Sequence, residues 1–251
     1  MNIDIEAIKE IARKAGEKIL DIYENEDFSK TIDFKADDSP LTIADKASHE
    51  IIDEGLKALK LDLPILSEEG KINEYEERKS WTSFWCVDPL DGTKEFINKN
   101  GEFTVNIALI REGKPVLGVV YAPVIDALYY GDEAEGAFLE KQGSKSKIIV
   151  NKKTSELIAV KSKSHASEAE DEVFKQYDIV DAISVGSSLK FCMVASGQAD
   201  IYYRHGPTME WDTAAGQAVV EAAGGKVVDG DQPFRYNKES LLNGSFLCIG
   251  W

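Results

Sequence analysis

Apolar positions recur at three- and four-residue intervals at the start of the chain: Ile5, Ile8, Ile11, Ala12, Ala15, Ile19 and Ile22. That spacing predicts an amphipathic helix with one stripe on a core. Residues 24–40 are polar, include Pro40 and read as a loop. A second helical pattern runs from Ile43 to Leu59, with Thr42 suited to cap it. Leu63–Leu66 and Phe84–Val87 are short apolar runs, the mark of strands buried on both faces. Pro89 donates no ladder hydrogen bond, so the second of these should stop there and curl.

From Phe103 to Lys141 the pattern turns to strands. Thr104–Ile110 and Val116–Tyr121 flank Arg111-Glu112-Gly113-Lys114, a hairpin signal, and Leu128–Tyr130 and Ala137–Leu139 add two more. An antiparallel meander backed by the two helices is expected. Residues 142–156 are rich in Lys and Ser and mark the expected boundary between an N-terminal half, 1–155, and a C-terminal half, 156–251. Beyond it the elements alternate. Strands are expected at 158–161, 179–185, 199–203, 226–228 and 246–249, and helices at 167–176, 188–196 and 212–223. That alternation implies an α/β layered fold.

At 251 residues the chain can bury roughly three quarters of its unfolded surface. Its formal charge of −16 argues against nucleic acid as a partner, so an anionic substrate needs local cations. Cys86, Cys192 and Cys248 lie in or beside apolar segments and read as buried thiols in a reducing compartment. No signal peptide or membrane-length apolar run is visible. A cytoplasmic enzyme is expected, free or peripheral at the inner face of the membrane, as a monomer or homodimer.

The chemistry concentrates where the run Phe84–Val87 ends. Asp88-Pro89-Leu90-Asp91 can aim two carboxylates at one point with the Leu90 carbonyl between them, an oxygen shell of the kind Mg²⁺ takes. A plain acidic turn explains an isolated Asp-x-x-Asp equally well. A phosphoaspartate phosphatase needs one residue between its aspartates, and an EF-hand needs oxygen ligands at positions occupied here by Leu90 and Gly92. Gly92-Thr93 can open a helical turn that receives phosphate. Glu68-Glu69 follows an apolar run as well, and Asp212 begins a small-residue helix that it would also suit as an N-cap. Gly186-Ser187-Ser188-Leu189-Lys190 is a turn into a helix, fit for an anion and equally for a plain cap.

The string Asp88-Pro89-Leu90-Asp91-Gly92-Thr93 resembles the metal signature of the inositol monophosphatase superfamily of Mg²⁺-dependent, lithium-sensitive phosphatases. Lys94-Glu95-Phe96-Ile97 and Asn100-Gly101-Glu102-Phe103-Thr104-Val105-Asn106 resemble one branch more closely, the 3'(2'),5'-bisphosphate nucleotidases. The resemblance covers nearly the whole chain. It implies the layered αβαβα sandwich shared with fructose-1,6-bisphosphatase, and two or three Mg²⁺ ions on Glu68, Asp88, the Leu90 carbonyl, Asp91 and Asp212. It makes Glu68 the water activator with Glu69 behind it, and Thr93 a water-orienting hydroxyl partnered by Asp45. Asp91, Gly92, Thr93, His165, Ser187, Lys190, Arg204 and Asp212 become the substrate contacts. The implied reaction converts adenosine 3',5'-bisphosphate and water to AMP and phosphate. An inositol monophosphatase or fructose-1,6-bisphosphatase on the same fold, or a phospho-ligand sensor that has lost ligands, are the alternatives.

Overall fold

The structure is a computed structural model that describes residues 3–24, 32–34, 40–164 and 167–251, with only the backbone of 32–34 and 40–42. The first stripe forms α1 (Ile5–Tyr23), begun by Asp4, whose carboxylate accepts from Glu6 N at 3.0 Å. A short antiparallel pair follows, β1 (Ile32–Phe34) and β2 (Pro40–Thr42), within the stretch expected as loop. Next comes α2 (Ile43–Ala58), as expected.

A seven-stranded sheet comprises, in spatial order, β3 (Ile65–Ser67), β4 (Ser83–Asp91), β5 (Thr104–Arg111), β6 (Lys114–Ala122), β7 (Ala127–Asp132), β8 (Gly136–Lys141) and β9 (Ser144–Ile148). Only the β3–β4 pair is parallel; the rest is the expected meander. Glu112 and Gly113, both at positive φ, close the β5–β6 hairpin as the right-handed strand twist requires. Between β3 and β4 lies a helical turn, α3 (Tyr75–Arg78), and after β4 another, α4 (Thr93–Ile97).

The central strands are apolar on both faces, which is why their sequences do not alternate. Trp85, Val87, Val105, Ile107, Val119 and Tyr130 pack with α1 and α2. Phe84, Cys86, Ala108, Ile110, Val120 and Tyr129 face the opposite way into a second core. Full burial of each such large side chain contributes ~1.5–3 kcal/mol. That second core is filled by α6 (Leu189–Ala195) and α7 (Glu210–Ala222). Glycine lets α7 come close: a Cβ on Gly118 would sit 2.4 Å from the Ala215 carbonyl oxygen.

The second sheet lies beyond these helices. Its order is β11 (Ile179–Val185), β10 (Leu157–Ser162), β12 (Ile201–Arg204), β17 (Phe246–Ile249), β14 (Lys226–Asp229) and β15 (Gln232–Pro233). β10 runs parallel to β11 and β12, and the other pairs are antiparallel. A small outer cluster of Leu157, Ala159, Ile201 and Ile249 is covered by Phe174 of α5 (Glu168–Phe174). Two residue pairs, β13 (Thr208–Met209) and β16 (Leu242–Asn243), clip together the strand ends near α7. The layers run helix, sheet, helix, sheet, helix, the αβαβα sandwich expected.

Two expectations need correction. β4 does not stop at Pro89 but resumes pairing at Asp91 with Thr104 after a register shift, so the proline sits in a bulge where no ladder donor is required. The stretch 142–156 contains β9, an edge strand whose residues 144–147 are exposed and so carry no apolar signal.

Candidate active site

The first sheet places two acids side by side. β3 pairs with β4 in the register Ser67 to Val87, and Glu68 N donates to the Val87 carbonyl at 3.2 Å. Glu68 is thereby set beside Asp88. The His49 ring lies 2.9 Å from the Ser67 hydroxyl, steadying the same strand end from α2. Asp88 is buried, and its Oδ1 accepts from Leu90 N at 3.1 Å, tightening the bulge. Ser48 of α2 donates to the Pro89 carbonyl at 2.7 Å. Gly92, at φ 94°, takes the left-handed turn that starts α4 at Thr93, a conformation a β-carbon would strain.

The third acid arrives on α7. Asp212 is its third residue, not the cap; Met209 is the cap, and Met209 N donates to Asp212 Oδ2 at 2.8 Å. The helix start is anchored by Glu210, fully buried, which accepts from Asn237 N at 2.7 Å, Lys238 N at 2.9 Å and Lys238 Nζ at 2.7 Å. Asn243 Nδ2 donates to the Met209 carbonyl at 2.7 Å.

Glu68, Asp88 and Asp212 each bring a carboxylate oxygen within 4.8 Å of the others. Asp91 stands beside this trio rather than in it. Its Oδ2 accepts from Ser188 Oγ at 2.6 Å, with Asn106 Nδ2 at 3.4 Å. Burial pushes the Asp88 carboxyl well above the usual range, and Glu68, Asp91, Asp212 and Asp45 add repulsion. Burial and Asp91 do the same to Asp212. Asp91 is raised by burial too, but Lys190 and the Ser188 hydroxyl oppose the rise. Crowded, desolvated carboxylates with oxygen as their only donor atom fit a hard divalent cation. Asp45 is buried in the first turn of α2, and Leu90 is buried between the two aspartates.

A pocket of about 440 Å³ is lined by Glu68, Asp91, Gly92, Thr93 and Asp212, and also by Ser187, Lys190 and Arg204. Glu68, Asp91 and Asp212 therefore share one cavity with Ser187, Lys190 and Arg204, with Asp88 buried beside Glu68. Ser187 sits at φ 47°, and Lys190 Nζ donates to its carbonyl. Burial lowers the Lys190 pKa, while Asp91 and Glu95 hold it up. Arg204 Nη1 lies 3.5 Å from buried Glu170. His165 lies outside the described residues. All three cysteines are buried as free thiols, and burial drives each pKa up, the reverse of an activated nucleophile.

Five residues of the site carried no signal of their own. Glu210 anchors α7. Asn106 and Ser188 hold Asp91. Glu95, buried in the pocket wall, accepts from Ser164 Oγ, while Glu102 accepts from Gly186 N at 2.8 Å and pairs with Lys163 at 2.9 Å. Glu102 thus ties the Ser187 turn, and Glu95 the segment after β10, to the stretch that follows β4. Their place in the Lys94–Asn106 string was the one hint available.

The chain belongs to the inositol monophosphatase family, whose model matches residues 3–248. A crowded acidic pocket is in keeping with the metal dependence of that family. Within it, the chain is 48% identical over 246 residues to the 3'(2'),5'-bisphosphate nucleotidase CysQ of Salmonella typhimurium, covering 96% of this chain and 98% of that one. The CysQ of Escherichia coli K12 matches at the same identity and coverage. Among solved structures, CysQ from Bacteroides thetaiotaomicron superposes with a TM-score of 0.85 at 44% identity, over 98% of this chain and 96% of the other. The expected superfamily and its bisphosphate nucleotidase branch are both borne out. Among the described residues no helix is long and apolar enough to cross a membrane.

Proposed function

We propose that the chain is a Mg²⁺-dependent phosphatase that removes the 3'-phosphate of adenosine 3',5'-bisphosphate, giving AMP and phosphate. The observation that carries this reading is one pocket lined by Glu68, Asp91 and Asp212 of the acidic site together with Ser187, Lys190 and Arg204. Lys190 lies near Asp91 and Glu95 and Arg204 beside Glu170, and the 5'-phosphate of a bisphosphate gives both cations a further anion that a monophosphate lacks. The nucleotidase activity named for the CysQ relatives agrees.

In this reading Glu68, Asp88, Asp91, Asp212 and the Leu90 carbonyl would hold two or three Mg²⁺ ions. When bound, such ions would supply a lowered pKa for a water and positive charge for an in-line phosphoryl displacement. The chain's own residues do the rest. Glu68 takes the proton of the attacking water, and the Thr93 hydroxyl orients it, donating in turn to Asp45. Backbone N–H groups at Gly92-Thr93 hold the transferred phosphate. Ser187, Lys190, Arg204 and His165 hold the nucleotide and its second phosphate. Residues 1–155 thus supply most of the acids, and 156–251 supply Asp212 and the nucleotide contacts.

Phosphate release from a panel of nucleotides and sugar phosphates, with and without EDTA, tests both levels. Adenosine 3',5'-bisphosphate should be the best substrate, chelation should abolish turnover, Mg²⁺ should restore it, and Li⁺ should inhibit. Preference for inositol 1-phosphate would overturn the nucleotide assignment, and full activity in excess EDTA would overturn the metal role.

A further inference from the structure

Ser188 is the second serine of the Gly186–Lys190 turn, and it lies almost fully buried behind the pocket-lining Ser187. Three groups surround its hydroxyl. Asn106 Nδ2 is at 2.8 Å, Asp91 Oδ2 at 2.6 Å and the Asp212 carbonyl oxygen at 3.0 Å. An amide nitrogen can only donate, so Asn106 fills one of the hydroxyl's lone pairs. The hydroxyl then has one hydrogen for two acceptors. A bond to a carboxylate is roughly twice as strong as a neutral one, and here it is also the shorter, so the hydrogen goes to Asp91.

The order of donation is therefore fixed: Asn106 to Ser188 to Asp91. Each member comes from a different element. Asn106 stands opposite Asp88 in the β4–β5 register, Ser188 precedes α6, and Asp91 ends β4. Ser188 also touches the backbone of Asp212, the acid that α7 contributes.

We propose that Ser188 is a positioning residue that holds the Asp91 carboxylate by Oδ2 and so fixes how Asp91 is presented to a cation. Asn106 acts mainly through Ser188, presenting the hydroxyl with its hydrogen toward Asp91, and adds a longer contact of its own to Asp91 Oδ2 at 3.4 Å. The inference rests on the metal reading of the acidic cluster. It also makes the Ser187–Lys190 turn and Asp91 one mechanical unit, since the residue between Ser187 and Leu189 is the one that grips the acid.

Calorimetric titration of Mg²⁺ into the EDTA-stripped full chain, with a melting curve of each metal-free variant, tests the idea without using turnover. Ser188→Ala should weaken Mg²⁺ binding ~10–100-fold, the usual cost of losing a partner that orients a ligand. Its metal-free melting temperature should stay close to that of the unmutated chain. Ser188→Thr, which keeps the hydroxyl, should restore most of the affinity. Asn106→Leu should weaken binding as well, and the double variant should lose far less than the sum of the singles, because Asn106 acts mainly through the Ser188 hydroxyl and only weakly through its own 3.4 Å contact with Asp91. If Ser188→Ala does not fold, the Asn106→Leu and Ser188→Thr arms decide the matter. A chain that binds no divalent cation at all overturns the metal reading and this role with it. Mg²⁺ binding by the unmutated chain and Ser188→Ala with equal affinity overturns the positioning role alone, as would additive losses in the double variant.

Discussion

The pocket holds two sets of charges that are stabilised in different ways. The acids Glu68, Asp88 and Asp212 are brought within 4.8 Å of one another, and Asp88 and Asp212 are pushed toward protonation by burial and by their neighbours. The cations already have protein partners: Lys190 donates to the Ser187 carbonyl and lies near Asp91 and Glu95, and Arg204 lies beside Glu170. The fold therefore leaves the acidic set in deficit and the basic set largely settled. The acids should govern metal, rate and pH behaviour, whereas the cations should govern which phosphorylated molecule is chosen.

The largest effect that would break this division is at Asp91. Asp91→Asn should lower kcat/KM by at least ~10³-fold for every substrate, exceeding the ~10²–10³-fold cost of losing one transition-state donor. A loss confined to nucleotides would mean that Asp91 belongs with the cations. Thr93→Ala comes next, with kcat down ~10²–10⁴-fold and Mg²⁺ affinity nearly intact, because only water orientation is lost. Equal losses of rate and Mg²⁺ binding would place Thr93 among the metal ligands.

Lys190→Ala sharpens the comparison from the other set. Losing one charge-assisted contact of ~1.5–3 kcal/mol should cost tenfold to over a hundredfold in kcat/KM with adenosine 3',5'-bisphosphate. Slow turnover of inositol 1-phosphate should change little. A uniform loss on both substrates would show that Lys190 acts mainly through Asp91.

The smallest effect is on stability. Asp88 and Asp212 have folded-state pKa values above their unfolded ones, so the metal-free fold binds more protons than the unfolded chain in the window between them. Their contribution is present at low pH and declines as pH rises above the ordinary carboxylate value of ~3.9. In EDTA the melting temperature should fall by a few degrees between mildly acidic and mildly alkaline buffer, since ~1 kcal/mol moves a chain of this size by roughly 2–4 °C. Saturating Mg²⁺ should flatten that slope. An EDTA melting temperature that rises with pH would show that the carboxylates are not strained.

Much of this was legible in the sequence wherever the signal was local. The stripe Ile5–Ile22 became α1, and the apolar runs from Phe84 to Leu139 became the buried centre of the first sheet. The acids were readable because Asp88 and Asp91 flank a proline and because Glu68 follows a buried run. What stayed hidden depends on distant partners or on missing apolar contrast. β9 is a strand through backbone pairing alone, with its side chains in water. The turn of Asp91 toward Ser188 spans 97 residues, and the anchoring of Glu210 by Lys238 spans 28. No spacing rule within one segment can announce such bonds.

Gly118 lies on β6, 94 positions before Asp212, and lines no part of the pocket. Yet it faces the carbonyl of Ala215, one turn along α7 from the acid. The depth at which Asp212 enters the cluster is thus set by an empty volume on a neighbouring sheet. A methyl group there would act as a spacer, lifting the helix and widening the distance its carboxylate must span. Fine adjustment of this catalyst is therefore open to changes far from its chemistry, through the thickness of a backbone contact.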